Sequence, residues 1–203
     1  MKKLVIMGAG GHGKVVADIA KYSYEEIVFL DDAPISDSCL GYPVMGGISQ
    51  YRAFLKDAAF FVALGAPEKR RELIEMLVSS NAEVATLVHP CATVADGVSL
   101  GEGTVIMAGA IINPDARIGK GCIVNTSASV DHDCCLGNYV HVAVGAHLAG
   151  TVTVGENTWI GAGAIVKNNM DIIRDCIIGA GAVVVKSITQ SGTYIGVPAR
   201  RYG

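Results

Sequence analysis

The sequence predicts two parts of different fold class: a small parallel α/β domain over residues 1–83 and a parallel β-helix over residues 84–203. Three observations predict this division. Apolar runs alternate with helical patterns at the start of the chain, a six-residue repeat occupies the rest, and the composition changes between them. The first 83 residues hold 20 charged residues and 8 glycines, whereas the remaining 120 hold 15 and 17, so the second part has a backbone that turns more often.

The composition excludes several classes of protein. With 51% hydrophobic residues the chain is not disordered, and a net charge of −3 gives no basic footprint for non-specific nucleic-acid binding. No apolar run approaches the roughly 18 residues of a membrane span, and Gly8 ends the first apolar run too soon for a signal peptide. We therefore expect a cytoplasmic protein. The six cysteines form no CxxC pair, which predicts free thiols.

The first part alternates strands with helices. Strands are predicted at 4–7, 27–30 and 59–64, and helices at 15–20 and at 67–77, where Pro67 suits the first helical turn. This alternation is typical of a small Rossmann-like parallel sheet. At about 80 residues, the domain is shorter than a complete dinucleotide-binding fold.

A glycine turn follows the first predicted strand. Gly8, Gly10 and Gly13 fit the pattern G-x-G-x-x-G between a strand and a helix, where it allows a tight turn and close approach of the backbone to a phosphate. Asp31 and Asp32 end the second strand, where an acid binds ribose hydroxyls. The motif alone suggests NAD, but the missing second half of a dinucleotide fold favours a mononucleotide. A purely structural turn is the other alternative.

The strongest signal is a repeat of six residues. From Val88 to Val184 every sixth residue is Val, Leu or Ile, seventeen in all, and the residue four positions after each is mostly small. An amphipathic helix has apolar spacings of three and four and is excluded. A β-helix gives this period, because each rung is a short strand with one inward aliphatic residue and a corner with one small inward residue. The small column contains Cys122, Cys134 and Cys176, which favours core positions for them over a metal or redox role.

Glycines indicate how many rungs form a coil. Four glycines that each directly follow an inward aliphatic residue recur every eighteen residues, at Gly101, Gly119, Gly137 and Gly155. This spacing predicts three rungs per coil, with one corner that needs room for the backbone. The whole repeat then makes about 5.7 coils in a prism roughly 27 Å tall.

Four segments resemble a known family. They run from Gly8 to Lys14, from Asn125 to Cys134, from His141 to Gly150 and from Gly196 to Arg201. Together with the repeat, they make nearly the whole chain similar to the hexapeptide-repeat nucleotide-sugar acetyltransferases. These include the N-acetyltransferases of UDP-linked 4-amino sugars, such as UDP-bacillosamine enzymes, and relatives that O-acetylate sialic acid. The resemblance implies a nucleotide-sugar-binding Rossmann-like domain, a left-handed β-helix, and acetyl-CoA as co-substrate without a metal.

The resemblance also implies site residues. His132 is the implied general base, and Asp133 is the acid that raises its basicity, because a carboxylate orients the imidazole ring and stabilises the imidazolium. Many relatives have glutamate at the position of Asp133. Because the aspartate side chain is one methylene shorter, two alternatives stay open: a longer contact between Asp133 and His132, or a contact made through Asp131. The implied substrate-binding residues are Gly10, Gly11, His12, Gly13, Asp31, Asp32, Gly65 and Asn125, with helix capping as the alternative for His12. The implied acetyl-CoA-binding residues are His141, Gly150, Ala162 and Ala180.

The register of the repeat bears on assembly. His132 and His141 are nine residues apart on a coil of eighteen, so they lie half a circuit apart and do not meet on one substrate within one chain. If both serve one active centre, a neighbouring subunit supplies one of them, and the resemblance implies a homotrimer with active sites between subunits. The outward Trp159 suits a subunit interface. Arg200 and Arg201 either reach the coenzyme phosphates or serve solubility.

Three functions are compatible with these observations. The first is acetyl transfer from acetyl-CoA to the 4-amino group of a UDP-linked amino-deoxy sugar, which would place the protein in glycan biosynthesis. The second is O-acetylation of a sugar hydroxyl on the same scaffold, as in sialic acid modification. The third is a non-enzymatic protein that binds nucleotide sugars. An NAD-dependent enzyme is disfavoured, because the β-helix supplies no domain for the nicotinamide side.

Overall fold

The computed structural model describes residues 2–203, and the chain divides into two compact units, Met1–Pro90 and Cys91–Gly203. The predicted boundary at 83/84 falls inside the first unit, where Val84 pairs in parallel with Phe60. The elements of the first unit are β1 (Lys3–Met7), α1 (Gly11–Ala20), β2 (Glu26–Leu30), β3 (Ser38–Cys39), β4 (Tyr42–Pro43), a 3-10 helix (Ile48–Phe54), β5 (Ala58–Val62), α2 (Pro67–Ser79) and β6 (Leu87–Val88).

The first unit contains a parallel sheet in the order β2-β1-β5, which confirms the predicted α/β alternation. The central strand is a continuous apolar run because the sheet is covered on both faces, and every residue from Leu4 to Met7 is fully buried. Helix α1 buries Val16 and Ile19. Helix α2 begins at Pro67, whose missing N–H is not needed in the first helical turn.

The second unit is a parallel β-helix built from very short strands. They are β7 (Thr93–Val94), β8 (Ser99–Leu100), β9 (Val105–Ile106), β10 (Ile111–Ile112), β11 (Arg117–Ile118), β12 (Ile123–Val124), β13 (Ser129–Val130), β14 (Cys135–Leu136), β15 (His141–Val142), β16 (His147–Leu148), β17 (Thr153–Val154), β18 (Trp159–Ile160), β19 (Ile165–Val166), β20 (Asp171–Ile172), β21 (Cys176–Ile178), β22 (Val183–Val184), β23 (Gly192–Ile195) and β24 (Arg200–Tyr202).

The strands from β7 to β22 form the three faces of a prism, because each strand from β7 to β19 pairs in parallel with the third strand after it. Face 1 contains β7, β10, β13, β16, β19 and β22; face 2 contains β8, β11, β14, β17 and β20; face 3 contains β9, β12, β15, β18 and β21. Pairing joins residues eighteen apart, such as Val130 and Leu148. The prediction of three rungs per coil is therefore confirmed.

The inward residues form the core of this unit. The aliphatic column is buried from Ile106 to Val184. The side chains of Cys122, Cys134 and Cys176 are buried beside it, and within residues 2–203 none of them forms a disulfide. A Cβ on Gly101 would lie 2.4 Å from the backbone nitrogen of Lys120 in the next coil. This corner therefore excludes a side chain, as predicted. A second corner is equally crowded, because a Cβ on Gly161 would lie 2.5 Å from the carbonyl oxygen of Ile178.

The end of the chain folds back on the last coil. Strand β23 pairs in parallel with β21, and β24 returns antiparallel to β23. The backbone N–H of Ala199 donates to the carbonyl oxygen of Val183, at 2.8 Å, and so fixes the tail beside β22. Between residues 2 and 203, neither helix has the length and apolar character that crossing a membrane requires.

Candidate active site

His132 lies at the corner of the β-helix that joins β13 on face 1 to β14 on face 2. Its Nδ1 lies 2.7 Å from Oδ2 of Asp133, and both side chains are more than half exposed. Asp133 has a φ of 58°, in the left-handed region that aspartate enters more readily than most residues. The shorter side chain of aspartate thus reaches the ring directly. The catalytic roles of the two residues stay predictions.

Two carboxylates act on different parts of His132. The hydrogen bond with Asp133 raises the pKa of His132, and the negative charge of Asp131 adds to this effect. Oδ1 of Asp131 accepts hydrogen bonds from Nδ2 of Asn113, at 2.7 Å, and from the backbone N–H of His132, at 2.8 Å. The first of these is the larger cause of a lowered pKa for Asp131. Asp133 therefore orients the ring, and Asp131 holds the main chain.

Gly150 leaves room for the ring of His132. A Cβ on Gly150 would lie 2.5 Å from Nε2 and 2.6 Å from Cε1 of that ring, so a larger residue would displace it. In the neutral imidazole, Nδ1–H donates to Asp133 and Nε2 carries the lone pair, which can accept a proton from a nucleophile. The N–H of Gly150 also contributes to the low pKa of Asp131. Its contact with a thioester oxygen stays a prediction.

His141 lies on face 3 in a different environment. Nδ2 of Asn125 lies 3.1 Å from Nε2 of His141, and Oδ1 of Asn125 accepts the backbone N–H of Thr126 at 2.8 Å. That second bond fixes the orientation of the amide, so Nδ2 is the donor and Nε2 the acceptor. The ring also packs on Trp159, with 4.4 Å between ring centroids.

The predicted site residues of the β-helix fall into two groups. His132, Asp133 and Gly150 share the corner between faces 1 and 2. The other group lies on face 3 or at its junction with face 1: Asn125, His141, Ala162 and Ala180. The first corner is opposite face 3 in a three-sided prism, so the structure keeps His132 and His141 on opposite sides of one chain. The expectation from the register is confirmed.

The glycine turn of the first unit uses its glycines in two ways. Gly8 has a φ of 108°, and a Cβ on Gly13 would lie 2.1 Å from the carbonyl oxygen of Gly8, so these two are required by the turn itself. At Gly10, Gly11 and Gly65, a Cβ would have no other atom within 4 Å. Their backbones face open space, as close approach of a ligand requires.

Both acidic residues after β2 hold the backbone of their own unit. The carboxylate of Asp31 accepts the N–H groups of Ala9, at 2.7 Å, and Ala33, at 2.8 Å. Oδ1 of Asp32 accepts the N–H of Ile48 at 2.7 Å. These bonds shape the edge of a cavity of about 210 Å³ that is lined by Ala9, Lys14, Ile35, Ser36, Ser38, Cys39 and Leu40.

Arg70 is fully buried in the first unit, and His12 is half-buried there. Burial, and secondly the charge of Arg70, lowers the pKa of His12 to about 4, so His12 is neutral at physiological pH. Its Nε2 is buried without a hydrogen-bond partner among residues 2–203. Nη1 of Arg70 donates to the carbonyl oxygens of Leu64, at 2.9 Å, and Gly65, at 2.8 Å, which fixes the turn that carries Gly65.

Comparisons with known proteins decide the family. The PglD N-terminal domain family matches residues 3–77. The acetyltransferase domain of PglB from Neisseria gonorrhoeae FA1090 is 39% identical, the alignment covers 100% of both chains, and the TM-score is 0.97. PerB from Caulobacter crescentus, in complex with CoA and GDP-perosamine, is 38% identical over 100% of this chain and 98% of that chain, with a TM-score of 0.92. This chain belongs to the nucleotide-sugar acetyltransferase family.

The fold of this acetyltransferase confirms the predicted class, an α/β domain followed by a left-handed parallel β-helix. The PglB domain has also been solved in complex with acetyl coenzyme A. A curated relative, UDP-N-acetylbacillosamine N-acetyltransferase from Bacillus subtilis (strain 168), is 39% identical over 115 residues. That match covers 53% of this chain and 52% of the relative, about half of each. Within residues 2–203 of the acetyltransferase, no cluster of three or more His, Cys, Asp or Glu could hold a metal ion.

Several contacts of the predicted site residues were not predicted from the sequence, although Trp159 itself was named there as an outward residue. Asn113 lies eighteen residues before Asp131, and Trp159 lies eighteen residues after His141. The period of the coil was a sufficient signal for both, because residues eighteen apart stack. Arg70 precedes the buried Leu73 and Ile74 by three and four positions, which places it on the apolar face of α2.

Proposed function

We propose that this acetyltransferase moves the acetyl group of acetyl-CoA to the amino group of a nucleotide-linked amino sugar. The observation that carries the proposal is the contact between His132 and Asp133, which leaves Nε2 beside Gly150 as a proton acceptor. Full-length similarity to a domain solved with acetyl coenzyme A and to a protein solved with CoA and GDP-perosamine supports both substrates.

The proposed reaction joins nitrogen to the acetyl carbon. The amine nitrogen attacks the thioester carbonyl, a C–N bond forms, and the C–S bond breaks to release CoA as a thiol. Nε2 of His132 takes the proton that the nitrogen loses and passes one to the departing sulfur. Asp133 stabilises the imidazolium between these two transfers, as in other acid–histidine pairs. General-base help of this kind is worth about 10²- to 10⁴-fold in rate.

We assign acetyl-CoA to Gly150 at the His132 corner of one chain and to the face 3 group of a neighbouring chain. We assign His141, which lies between Asn125 and Trp159, to the same coenzyme. Ala162 and Ala180 are exposed and stack through the hydrogen bond from Gly181 to the carbonyl oxygen of Ala162. Small residues there leave a smooth surface on which an extended ligand can lie.

We assign the nucleotide to the first unit. The open backbone at Gly10, Gly11 and Gly65 can approach a phosphate closely, and α1 has no acidic residue in its first turn to compete for its free N–H groups. Neutral His12 can exchange a hydrogen bond with the nucleotide. Asp31 and Asp32 act there mainly by holding the loops, and a lone pair of Asp31 or Asp32 is the proposed acceptor for ribose hydroxyls.

The finer proposal is that the substrate carries UDP and that the acceptor is a 4-amino group. The relatives include a protein named for a UDP sugar and one solved with a GDP sugar, so the nucleotide is the point to test. Mass spectrometry of the protein with acetyl-CoA and a UDP-linked 4-amino sugar should show a product heavier by one acetyl group. GDP-perosamine and free sialic acid serve in parallel tubes. Acetylation of sialic acid alone would replace N-acetylation by the O-acetyltransferase alternative.

We further propose that the active centre is shared between chains of a homotrimer. His132 and His141 lie on opposite sides of one prism, so one substrate reaches both only if a second copy supplies one of them. Variants His132→Gln and His141→Leu can be unfolded together, refolded and assayed at low acetyl-CoA. Mixed oligomers should be more active than either variant alone. Activity equal to the mean of the two variants would show that each chain works by itself.

A further inference from the structure

A side-chain ladder joins two coils at the corner that carries His132. Nδ2 of Asn113 donates a hydrogen bond to Oδ1 of Asp131, eighteen residues later, at 2.7 Å. The same oxygen accepts the backbone N–H of His132 at 2.8 Å. From the following coil, the N–H of Thr151 donates to the carbonyl oxygen of His132 at 2.9 Å. The main chain of His132 is thus held from both neighbouring coils, and on one side this depends on Asn113.

The backbone does not require asparagine or aspartate at the two positions of this ladder. Neither Asn113 nor Asp131 has a positive φ, so neither residue type is needed for a left-handed turn. The equivalent corner positions of the other coils hold Ala95, Ala149, Lys167 and Val185. None of these side chains is an amide or a carboxylate. The ladder is therefore a feature of this one corner and not of the repeat.

A second ladder of the same length lies at another corner and differs in its charge. Nδ2 of Asn157 donates to Oδ1 of Asp175, again eighteen residues later and at 2.7 Å. Both residues have a positive φ, 61° and 57°, which accounts for their types. Nε of Arg174 donates to Oδ2 of Asp175 at 2.8 Å, so that carboxylate is paired. Within residues 2–203, no lysine or arginine acts on Asp131, whose charge acts on His132 instead.

We infer that Asn113 is a positioning residue of this acetyltransferase, which holds the carboxylate of Asp131 against the main chain of His132 and so fixes the imidazole at the catalytic corner. The inference rests on the proposed function, in which Nε2 of His132 accepts the proton of the amine. A carboxylate that cannot rotate away keeps its negative charge beside the ring, where it stabilises the imidazolium that forms. Asn113 acts only through Asp131.

Few groups act on the titration of His132, so the contribution of this ladder can be isolated. Asp133 raises the pKa of His132 through a hydrogen bond, and Asp131 raises it through its charge. The other titratable or charged residues of this corner and of the strands beside it are Asp115, Arg117, Cys134, Cys135 and His147. None of these five contributes to the pKa of His132. A changed pKa of His132 in an Asn113 variant would therefore report on the carboxylate of Asp131.

The test uses one measurement without substrate and one with it. NMR titration of the imidazole C–H signals of the whole protein measures the pKa of His132, and the signal lost in His132→Gln assigns it. In Asn113→Ala, the released carboxylate of Asp131 turns towards solvent, so the pKa of His132 should fall. With acetyl-CoA and the UDP-linked 4-amino sugar, the acidic limb of kcat should move to lower pH. The maximal kcat should fall about tenfold, the value of one hydrogen bond to a charged group, with KM for acetyl-CoA unchanged.

A second variant and a double variant separate positioning from packing. Asn113→Leu keeps the volume of the side chain without its donor, and it should behave like Asn113→Ala. When Asn113→Ala is combined with Asp131→Asn, kcat should be no lower than in Asp131→Asn alone, because Asn113 acts through that carboxylate. Additive losses of kcat would overturn the inference.

The second ladder supplies the matched control. Asn157→Ala removes an equally short bond to Asp175 and also places alanine at a positive φ, which costs stability. It should nevertheless leave the pKa of His132 and kcat unchanged. An unchanged pKa of His132 in both Asn113 variants, or an equal fall in Asn157→Ala, would overturn the inference. Absence of acetylated product with the wild-type protein would instead overturn the proposed function, since the NMR titration tests the ladder without any substrate.

Discussion

The β-helix carries two histidines in opposite environments. His132 stands at an exposed corner with a carboxylate on its ring, whereas His141 is 7% exposed on face 3, between an amide and an indole. The first has a raised pKa and an open Nε2. The second has its Nε2 occupied by the side-chain amide of Asn125. The partner and the burial of each ring, rather than the residue type, therefore determine which histidine can exchange protons.

The largest expected effect comes from removing the proton acceptor. His132→Gln should lower kcat by about 10²- to 10⁴-fold, because the amine then loses its base. The dissociation constant of the nucleotide sugar should stay unchanged, since the nucleotide is assigned to the first unit. Steady-state kinetics and titration calorimetry measure the two quantities. His147→Gln is the matched control, because the side chain of His147 is exposed and, within residues 2–203, its one hydrogen bond is with Ser129. Equal losses of kcat in both variants would show that the loss in His132→Gln does not come from removal of the base.

Gly150→Ala should lower kcat by about 10²-fold. The new Cβ would overlap the position of Nε2 of His132, and a shift of about 1 Å in a catalytic group can have an effect of this size. In the double variant with His132→Gln, the loss should be no greater than in His132→Gln alone, because Gly150 acts through that ring. Additive losses would show that Gly150 works independently, for example through its N–H.

Asp133→Asn tests whether Asp133 raises the pKa of His132 and so distinguishes it from His141. His132 must be deprotonated to act as a base, so activity falls as pH drops through its raised pKa. Losing the Asp133 hydrogen bond, the larger cause of that raised pKa, should move this acidic limb to lower pH. The maximal kcat should fall about tenfold, because a weaker base accepts the proton. An unchanged pH profile of kcat would mean that Asp133 does not tune His132.

His141→Leu should have the smallest effect. We expect KM for acetyl-CoA to rise by up to about tenfold, the value of one lost hydrogen bond to a ligand, while the pH profile of kcat keeps its shape. Kinetics over a range of pH would measure both. If the acidic limb moved instead, His141 would be the group that titrates, and the roles of the two histidines would have to be exchanged.

Much of the fold could be predicted from the sequence, since the features concerned are periodic. The inward column from Val88 to Val184 and the glycines every eighteen residues define rungs and coils without any long-range information. The same period placed His132 and His141 on opposite sides. It also implied that Asn113 stacks on Asp131 and Trp159 on His141, because in a solenoid two residues one coil apart in sequence are neighbours in space.

Other features follow only from the tertiary structure, because no period connects their parts. Arg70 reaches back to the turn at Gly65, and the fold of the tail decides that Arg200 and Arg201 line a cavity with Lys186. The direct contact between Asp133 and His132 depends on a left-handed φ that the residue type permits but does not require. The sequence by itself determined the two-part architecture and the candidate bases, since the six-residue repeat and the motifs are patterns of residues close together in the sequence. The tertiary structure decided the charge environment of each base, because that depends on which groups meet across coils and turns.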